Sequence, residues 1–483
     1  MIPDIIVRIF EYFFLFYTIC IFSMYFWLAI VSARELIRSH NQSKNTNFDS
    51  ILSSPFAPMI TVIAPAYNES VTIVENIKAL LALYYPNFEI IVANDGSRDN
   101  TLEKAIEAFD LEKVPYIVDY KIPCQEIRGI YKSRKRAFNN LTVIDKFNGG
   151  KADALNSAIN IAKGEYFISI DVDSIIDPYA LQKMIKPFLE ATDRQVIATG
   201  GVIGIANSCK IADGQLIEID VPNKLLPRFQ VIEYTRAFLM GRLAWSRLDG
   251  LLLISGALGL FDKEVAIGCG GYYTKTVGED MELVVRMRKY MSKKKNKYKV
   301  AYVPDPLCWT EVPSSIKVLG GQRNRWTRGS IDTLFLHWDL FFNPKFGFMG
   351  LVSHPFWVFF EWLAPIVETI GILYFLFIAI LGQPNWPFFF VMLLFVYFFS
   401  IMFSTYAILY DLLAYHRYKQ KRMIIKLVLT AWLEPILFHP LVVYWALRGN
   451  FDFFIRRKKT WGNMTREGFN SQRKKDIQKK QTI

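Results

Sequence analysis

Two acidic residues, Asp171 and Asp173, stand directly after a mostly apolar run at residues 166–170. In an extended chain, side chains at positions i and i+2 point to the same side, so both carboxylates can approach one ligand. Neighbouring carboxylates repel each other unless a proton or a cation lies between them, and oxygen ligands suit Mg²⁺ or Mn²⁺. Such an ion could bridge a diphosphate and absorb the charge of a leaving group. A solvated acidic turn is the alternative interpretation.

Polar residues also follow two other apolar runs, at 60–63 and 90–93. Asn68 and Glu69 follow the first run, and Asp95 follows the second. Open α/β sheets bind ligands outside the carboxyl ends of their strands, where a carboxylate can accept hydrogen bonds from a ribose or a base. The alternative is a pair of tight turns in which Asn, Asp and Gly supply the backbone geometry.

Lys151 follows an Asn-Gly-Gly run at residues 148–150. The segment is not a P-loop, because Asp145 occupies the position of the first glycine and Ala152 follows the lysine. A lysine beside flexible backbone can still meet a phosphate.

Asp280, in the run Gly278-Glu279-Asp280, is a candidate general base for an acceptor hydroxyl. As an alternative, Asp280 caps a helix that begins at Met281. The two roles are compatible.

Gln322, Arg325 and Trp326 share one face if residues 322–326 are helical, because they are spaced i, i+3 and i+4. That face offers an amide, a bidentate cation for a diphosphate, and an aromatic plate for a sugar ring. A membrane-proximal basic helix with an interfacial Trp is the alternative.

These residues need a scaffold, and residues 58–340 have the pattern of an α/β domain. The short apolar runs suit strands, and turn residues followed by helical patterns come after the first two. We therefore expect a parallel sheet covered on both faces.

Long apolar stretches flank that domain in a chain that is 52% hydrophobic with a mean hydropathy of +0.19. Residues 12–31 and 388–410 are uncharged and long enough to cross a bilayer as helices. Residues 351–381 carry Glu361, Pro365 and Glu368, so we expect part of them to lie at the interface or to face a polar cavity. The prolines and flanking charges of residues 427–447 predict a broken or re-entrant helix, or an interfacial pair of helices.

The net charge of +13 is concentrated beside the apolar stretches and in the tail. Basic flanks of hydrophobic spans indicate the cytoplasmic face of a bilayer. We therefore expect a multi-pass protein of the plasma (inner) membrane, with a cytoplasmic catalytic domain and no nucleic-acid partner. The five cysteines have neither zinc nor disulfide spacing, which indicates a reducing compartment.

In their order along the chain, these motifs resemble the family 2 processive glycosyltransferases, which include cellulose, hyaluronan, chitin and poly-N-acetylglucosamine synthases. The resemblance covers residues 58–340 and, more loosely, the flanking apolar segments. The stretches 233–260, 308–313 and 461–466 look closest to bacterial exopolysaccharide or biofilm synthases.

The resemblance implies a GT-A fold, which is a Rossmann-like nucleotide-sugar-binding domain, and a single inverting displacement on a UDP-sugar. Asp280 would deprotonate the acceptor, and Asp173 would ligate Mg²⁺ or Mn²⁺. Asp95 would hold the uridine, with Lys151 and Asp171 facing the nucleotide. The other binding residues implied are Gln322 and Arg325 for the diphosphate, Trp326, Ser255 and Gly256 for the acceptor, and Asn68, Glu69 and Glu279 near the substrates.

Two departures from the family's pattern bear on regulation and on the base. No domain resembling the cyclic-di-GMP-binding domain of bacterial cellulose synthase follows the membrane region, so regulation by that nucleotide is unsupported, although an accessory membrane subunit could supply it. Gly278 stands where many members have Thr, but Asp280 is retained.

The function that follows is a membrane-embedded synthase that polymerises a UDP-sugar, with a UDP-N-acetylhexosamine as first choice, into a β-linked exopolysaccharide and passes it across the bilayer. Its partners would be the donor, the growing polysaccharide and the lipid bilayer. A non-processive transfer to a membrane lipid would have less need of the 322–326 face. A transporter or scaffold with a degenerate nucleotide fold would not need Asp280.

The expected organisation has four parts. They are an N-terminal membrane helix and linker (residues 1–57), a cytoplasmic GT-A domain (58–340), interfacial and transmembrane helices (341–455) and a basic cytoplasmic tail (456–483).

Overall fold

The computed structural model describes residues 3–44, 54–171, 174–212, 214–415, 417–418 and 420–458. The chain divides into two compact units. A helical unit comprises Met1–Asn41, Asn223–Gly250 and Ser314–Thr460, and an α/β unit contains Gln42–Pro222 and Leu251–Pro313.

The strands of the described residues all belong to the α/β unit. They are β1 Ile60–Ala66, β2 Phe88–Asn94, β3 Leu111–Val114, β4 Ile127–Ser133, β5 Leu141–Lys146, β6 Tyr166–Ile170, β7 Ile175–Ile176, β8 Gln195–Ile205, β9 Lys210–Ala212, β10 Gln215–Glu218, β11 Leu258–Asp262 and β12 Tyr298–Thr310.

Helices occur in both units. They are α1 Asp4–Lys44, α2 Ile73–Leu81, α3 Thr101–Phe109, α4 Lys151–Ile161, α5 Ala180–Leu189, α6 Leu225–Tyr234, α7 Leu243–Arg247, α8 Lys263–Gly268, α9 Glu279–Lys293, α10 Ile316–Leu336, α11 His354–Phe356, α12 Ala364–Ile380, α13 Trp386–Tyr415, α14 Lys421–Leu437 and α15 His439–Phe454, with π-helical turns at Thr235–Arg242, Met349–Ser353 and Trp357–Trp362 and 3₁₀ turns at Arg136–Phe138, Trp338–Leu340 and Pro344–Phe346.

The main sheet of the α/β unit has the order β3-β4-β5-β2-β1-β6-β11-β8-β12-β7. The consecutive pairs from β5 through β2 and β1 to β6 are parallel, whereas β11 runs antiparallel to β6 and β8. The expected parallel sheet is therefore confirmed for its central strands, within a sheet that is mixed overall.

The central strands are apolar because both of their faces are covered. Successive residues of β1, β2 and β6 are buried, so side chains on both sides of each strand lie in the core. α4 packs against β1 and β2. The predicted strand runs at 60–63, 90–93 and 166–170 all lie in these strands, and the expectation of a sheet covered on both faces is confirmed for them.

The order of the central strands creates a switch point. The chain passes from β1 to β2 on one side, but β6 pairs with the other side of β1. Ligands of open α/β sheets bind beside such a reversal, outside the carboxyl ends of the strands. A ligand-binding site is therefore expected at this edge of the sheet.

Two helices of the helical unit are long and apolar enough to cross a membrane, Asp4–Asn41 and Trp386–Tyr415, in a search of the described residues. The predicted spans at 12–31 and 388–410 fall inside them. Two bent helix pairs raise the number of candidate spans to four if each pair counts as one.

The bent pairs are Met349–Trp362 with Ala364–Ile380, at 41°, and Lys421–Leu437 with His439–Phe454, at 47°. Proline near the start of a helix interrupts the preceding hydrogen-bond ladder, and Pro440 occupies such a position. The predicted break within residues 427–447 is confirmed.

Several charged residues inside these apolar helices have polar partners within the same unit. The pairs are Arg236 with Glu434 at 2.9 Å, Tyr25 with Glu361 at 3.1 Å and His439 with Glu368 at 2.9 Å.

The helical unit also takes in residues 223–250 and 314–340, which lie inside the range expected for the catalytic domain. Of the expected basic tail, only residues 456–458 are among those described, and the 461–466 stretch lies outside them.

Candidate active site

The ends of β1, β2, β5 and β6 bring the expected donor residues to one edge of the sheet. Asn68 and Asp95 follow β1 and β2, Lys151 begins α4 after the loop that leaves β5, and Asp171 follows β6. Because parallel strands end at the same edge, these side chains gather there although they come from distant segments.

The Asp95 carboxylate is buried and accepts four hydrogen bonds from the last residue of β5 and the loop that follows it. Its Oδ1 accepts from the Lys146 ammonium at 2.6 Å and the Gly149 N–H at 2.9 Å. Its Oδ2 accepts from the Asn148 side-chain amide at 3.1 Å and the Gly150 N–H at 2.8 Å. The loop at residues 148–150 is therefore wrapped around Asp95.

Lys146 is fully buried and lies between two carboxylates. Its ammonium is 2.6 Å from Asp95 and 2.6 Å from Asp153, and it donates to the Phe147 carbonyl at 2.6 Å. Asp153 also accepts from the Gln125 N–H at 3.0 Å. Sequence reasoning missed this cluster, and the available signal was a lysine ending a buried strand, which requires an ionic partner.

Asn68 and Glu69 form hydrogen bonds between the loop after β1 and neighbouring segments. Asn68 Oδ1 accepts from the Arg98 N–H at 2.8 Å, and the Asn68 N–H donates to Ser97 Oγ at 3.0 Å. The Glu69 carboxylate accepts from the Thr72 hydroxyl at 3.0 Å. Asn68 has φ +57°, a conformation that Asn tolerates better than most residues. These are the contacts of turn residues, the alternative that the sequence left open.

A second, partly open cluster joins the Lys151, Asp171 and Asp280 segments. The Lys151 ammonium forms an ion pair with Asp171 and lies 3.5 Å from the Gly256 carbonyl oxygen. The Gly256 N–H donates to Asp280 Oδ2 at 3.1 Å. Antiparallel pairing of β11 with the end of β6 delivers Gly256 to this edge.

Glycine at position 256 permits this close approach. A Cβ atom there would lie 3.1 Å from Lys151 Nζ and 3.6 Å from Asp280 Oδ2. The neighbouring Ser255 is partly exposed, and its hydroxyl oxygen lies 3.5 Å from the Ala257 N–H. The Gly256 backbone thus contacts both the lysine and the candidate base.

The electrostatics of the open cluster keep Lys151 charged. Burial alone would lower the pKa of its ammonium, but the charges of Asp171 and Glu279 raise the pKa above its ordinary value of 10.5. The Lys151 side chain is 17% exposed and that of Asp171 is 27% exposed. The edge therefore presents a fixed cation beside carboxylates that solvent can reach.

Asp280 lies within the first turn of α9, which begins at Glu279 with Gly278 as its N-cap. The expectation that Asp280 caps a helix starting at Met281 is therefore wrong. Its Oδ1 accepts from the Met281 N–H at 2.9 Å, while Oδ2 accepts from Gly256. Glu279 is buried, whereas Asp280 is partly exposed and faces the cluster.

Asp173, the expected metal ligand, lies outside the described residues together with Val172. Among the residues that are described, no group of three or more His, Cys, Asp or Glu side chains is arranged to hold a metal ion. Asp171 places one carboxylate at the carboxyl end of β6.

Gln322, Arg325 and Trp326 lie on α10, in the helical unit. The helix is confirmed, so the three side chains share the predicted face. Gln322 and Arg325 are half-buried, and Trp326 is 39% exposed. A broad aromatic surface on this face is thus accessible within its own unit.

Arg323, which sequence reasoning did not single out, supports Trp326. Its guanidinium carbon lies 4.2 Å from the centre of the Trp326 ring, and it forms an ion pair with Glu233 at 2.6 Å. Burial raises the pKa of the Glu233 carboxyl above its ordinary value, although the Arg323 and Arg236 charges act to lower it. The i, i+3 spacing of Arg323 and Trp326 was the signal that could have predicted this contact.

Comparison with protein-family models identifies the chain. The model described as glycosyl transferase family 2 matches residues 61–208, and the one described as glycosyl transferase family group 2 matches residues 166–415, more than half of the chain. The chain is a family 2 glycosyltransferase. Its α/β unit has the Rossmann-like GT-A architecture that the family resemblance implied.

Similar curated proteins come from staphylococci. The chain is 27% identical over 423 residues to a poly-β-1,6-N-acetyl-D-glucosamine synthase of Staphylococcus epidermidis, covering 84% of this chain and 87% of that protein. It is 30% identical over 315 residues to the Staphylococcus aureus protein of the same name, covering 65% of this chain and 62% of that one.

Among solved structures, a mannosyltransferase from Pyrobaculum calidifontis in complex with GDP-mannose and Mn²⁺ is 17% identical to this glycosyltransferase. The match has a TM-score of 0.49 and covers 86% of this chain and 99% of the mannosyltransferase.

Proposed function

We propose that this glycosyltransferase is a processive synthase that builds a β-linked exopolysaccharide from a UDP-N-acetylhexosamine. The names of the staphylococcal relatives support the class of product and favour N-acetylglucosamine as the sugar. The observation that carries the proposal is the meeting of Lys151, Asp171 and Asp280 around Gly256 at the carboxyl edge of the sheet.

In this proposal the donor lies outside β1 and β6. Lys151 would pair with the diphosphate, because a charged ammonium beside solvent can exchange a carboxylate partner for a phosphate. Asn68 and Glu69 lie on the loop after β1, the strand that pairs with β6, which Asp171 follows. Both residues would contact the donor there.

The donor atoms at the end of β6 suit a divalent ion. Asp171 contributes a partly exposed carboxylate, and the next carboxylate, Asp173, follows two residues later. Hard oxygen ligands of this kind match Mg²⁺ or Mn²⁺. Asp173 would hold the ion, whose positive charge would favour departure of the nucleoside diphosphate.

Asp280 would act as the general base. Its Oδ2 accepts only the Gly256 N–H among the contacts described for that oxygen, so acceptor capacity remains toward the open cluster. The carboxylate would take the proton of the acceptor hydroxyl as that oxygen attacks the anomeric carbon from the face opposite the leaving group. Inversion at that carbon follows from a single displacement.

The helical unit supplies features suited to a polymer. Trp326 would stack on an acceptor sugar, and Gln322 and Arg325 would bind the diphosphate, as the family resemblance implies. The polar pairs inside the apolar helices support passage of a hydrophilic chain, since ionisable groups in membrane helices mark substrate pathways. We place the chain in the inner membrane as a multi-pass protein with its α/β unit in the cytoplasm.

The test is polymer synthesis by the purified full-length protein in lipid nanodiscs. We would supply a panel of radiolabelled UDP-sugars with Mg²⁺ or Mn²⁺ and resolve the products by size. A long polymer made from UDP-N-acetylglucosamine is the expected result. A single sugar attached to lipid would favour the non-processive alternative and refute processivity. Polymer synthesis that required a second membrane protein would show that an accessory subunit is needed.

A further inference from the structure

The segment at residues 269–278, which joins α8 to α9, is bonded to the helix that begins with Lys151. Asn156 lies on that helix, α4, and its side-chain amide pairs with the backbone of Tyr272. Its Nδ2 donates to the Tyr272 carbonyl at 2.9 Å, and its Oδ1 accepts from the Tyr272 N–H at 2.7 Å. Asn156 is only 1% exposed, so both bonds are shielded from water. The helix of the donor lysine therefore holds the segment that leads to Asp280.

Glycine at position 271 allows the segment to approach α4 this closely. It adopts φ +68°, a conformation that glycine accepts readily. A Cβ atom there would lie 2.6 Å from Asn156 Oδ1 and 2.6 Å from Ile122 Cγ2. Because both distances are shorter than carbon–oxygen and carbon–carbon contacts allow, a side chain at this position would displace the segment from the Asn156 amide.

Arg286 bonds the same segment to α9. Its guanidinium donates to the carbonyl oxygens of Cys269 at 2.7 Å and Gly271 at 2.5 Å. The same group forms a bidentate pair with Glu282, with both N–O distances at 2.7 Å. Glu282 lies in the first turn of α9, two residues after Asp280. The orientation of that turn is therefore coupled to the position of the segment.

The Tyr272 side chain extends the connection to Gly256. Its ring is 4% exposed and lies 6.4 Å from the rings of Phe167 in β6 and Phe261 in β11. Burial raises the pKa of its hydroxyl above the ordinary value of 10.0, although a hydrogen bond with Ser169 acts to lower that pKa, so the hydroxyl stays protonated. The Ser169 hydroxyl in turn donates to the Gly256 carbonyl at 3.4 Å. Tyr272 is thus connected to α4 through its backbone and to the residue beside the candidate base through its hydroxyl.

We propose that Asn156 and Tyr272 are positioning residues, which fix Asp280 relative to Lys151 and so align the acceptor base with the donor diphosphate. This inference rests on the proposed glycosyltransferase reaction and deepens it. Both residues are buried and contact neither substrate. They therefore act on the geometry of transfer and leave donor binding unchanged.

The test separates turnover from donor binding in the detergent-solubilised full-length protein with Mn²⁺. Calorimetry with UDP counts the binding sites, and release of UDP from UDP-N-acetylglucosamine gives kcat for each of those sites. Asn156→Ala should lower this kcat by about tenfold, since a small displacement of a reacting group is costly. The dissociation constant of UDP should stay within about twofold of the wild type, because an interaction used only in the transition state does not change ground-state binding.

Asn160→Ala is the matched control. Asn160 lies one turn later on α4, and its amide makes the same pair of bonds with Ile122, accepting from the N–H at 2.9 Å and donating to the carbonyl at 2.7 Å. Ile122 belongs to the loop between β3 and β4, which does not lead to the base. The control should lose similar thermal stability and keep the wild-type kcat for each UDP-binding site. An equal fall in kcat for Asn156→Ala and Asn160→Ala would overturn the inference.

A double variant shows whether Asn156 acts through the base. Added to Asp280→Asn, the Asn156→Ala change should cost no more than about a further twofold in kcat, because the group that it positions is already absent. The full tenfold loss in that background would contradict the positioning role. Wild-type turnover in Asp280→Asn alone would instead refute the assignment of the base, and a folded wild type that binds no UDP would refute the proposed donor site.

Tyr272→Phe decides the matter if Asn156→Ala does not fold. The ring keeps its packing against Phe167 and Phe261, and only the hydroxyl that bonds to Ser169 is removed. We expect kcat for each UDP-binding site to fall by about threefold, the scale of one hydrogen bond, with UDP affinity unchanged. A wild-type kcat in this variant, or a loss of UDP affinity that equals the loss of kcat, would overturn the inference.

Discussion

The 148–150 loop separates two lysines that lie in opposite environments. Lys146 is fully buried between Asp95 and Asp153, whereas Lys151 pairs with Asp171 where solvent reaches both side chains. The chemistry of the two ion pairs is the same, but only the second can exchange its partner for a ligand. Burial therefore decides which of two similar ion pairs stabilises the fold and which is available for substrate.

Lys146→Met should produce the largest change in stability. It leaves Asp95 and Asp153 buried without their cation, a loss on the order of 3–5 kcal/mol of unfolding free energy. The apparent melting temperature in detergent would measure it. Lys183→Met is the control, because its pair with Asp305 at 3.1 Å is partly exposed and contributes at most about 1 kcal/mol. Equal changes in melting temperature for the two variants would contradict the stabilising role of the buried Lys146 ion pairs.

Asp280→Asn should abolish most catalysis while leaving the fold intact. Removing a general base lowers the turnover rate by about 10²-fold or more, and UDP binding should persist because the amide still accepts from Gly256. Asp262→Asn is the control, since Asp262 accepts from the Val265 N–H and caps α8. Turnover near wild type in Asp280→Asn would refute the assignment of the base.

Lys151→Met should weaken donor binding more than it weakens the fold. The lost charge-assisted contact to the diphosphate corresponds to roughly 10- to 100-fold in the dissociation constant of UDP. Calorimetry measures this loss, and the melting temperature should change little because Asp171 is left partly solvated. Lys163→Met, an exposed lysine just after the same helix, controls for net charge. A large fall in stability with unchanged UDP affinity would reverse the roles of the two lysines.

Trp326→Ala extends the comparison to the helical unit, where the aromatic ring is 39% exposed. We expect polymer synthesis to fall by roughly two- to fivefold, the scale of one contact to an aromatic face, with shorter products on a sizing gel. Trp338→Ala is the control, a tryptophan of similar exposure that stacks on Phe341. Near-wild-type transferase activity in Trp326→Ala would favour non-processive transfer to lipid, which has less need of this face.

The smallest effect concerns pH. The pKa of Lys151 is raised above 10.5, so its charged form persists at every lower pH and is lost only as the pH rises through that raised value. The ratio of UDP affinities of the wild type and Lys151→Met should therefore stay constant between about pH 7 and pH 9. Titration calorimetry at several pH values checks this, and a ratio that falls toward one by pH 9 would show that the lysine had lost its proton.

Sequence patterns predicted the parts of the fold that depend on local periodicity. The apolar runs of β1, β2 and β6 predict buried strands, and the polar residues after them predict a ligand site at the carboxyl edge of the sheet. Asp280 could be tied to that edge only through the family resemblance, because no local pattern shows that β11 brings Gly256 beside it. The structure supplies that connection.

The features that sequence reasoning missed depend on contacts between distant residues. Lys146 looks like the polar end of a strand, and its partners Asp95 and Asp153 lie after β2 and on α4. The role of Arg323 is hidden in the sequence because Glu233, its ionic partner, lies 90 positions earlier in the chain. Residues 223–250 carry no sign of their association with the helical unit, since their apolar residues pack against helices from the other half of the chain.

The ion pair of Arg236 with Glu434 has a consequence for biogenesis. An unpaired carboxylate costs about 2.5–3.5 kcal/mol at the centre of a membrane-inserting helix. The two residues are 198 positions apart, and the arginine is translated first. When the later helix leaves the ribosome, the arginine has already been made, so in the proposed multi-pass arrangement Glu434 would enter the membrane with its partner available.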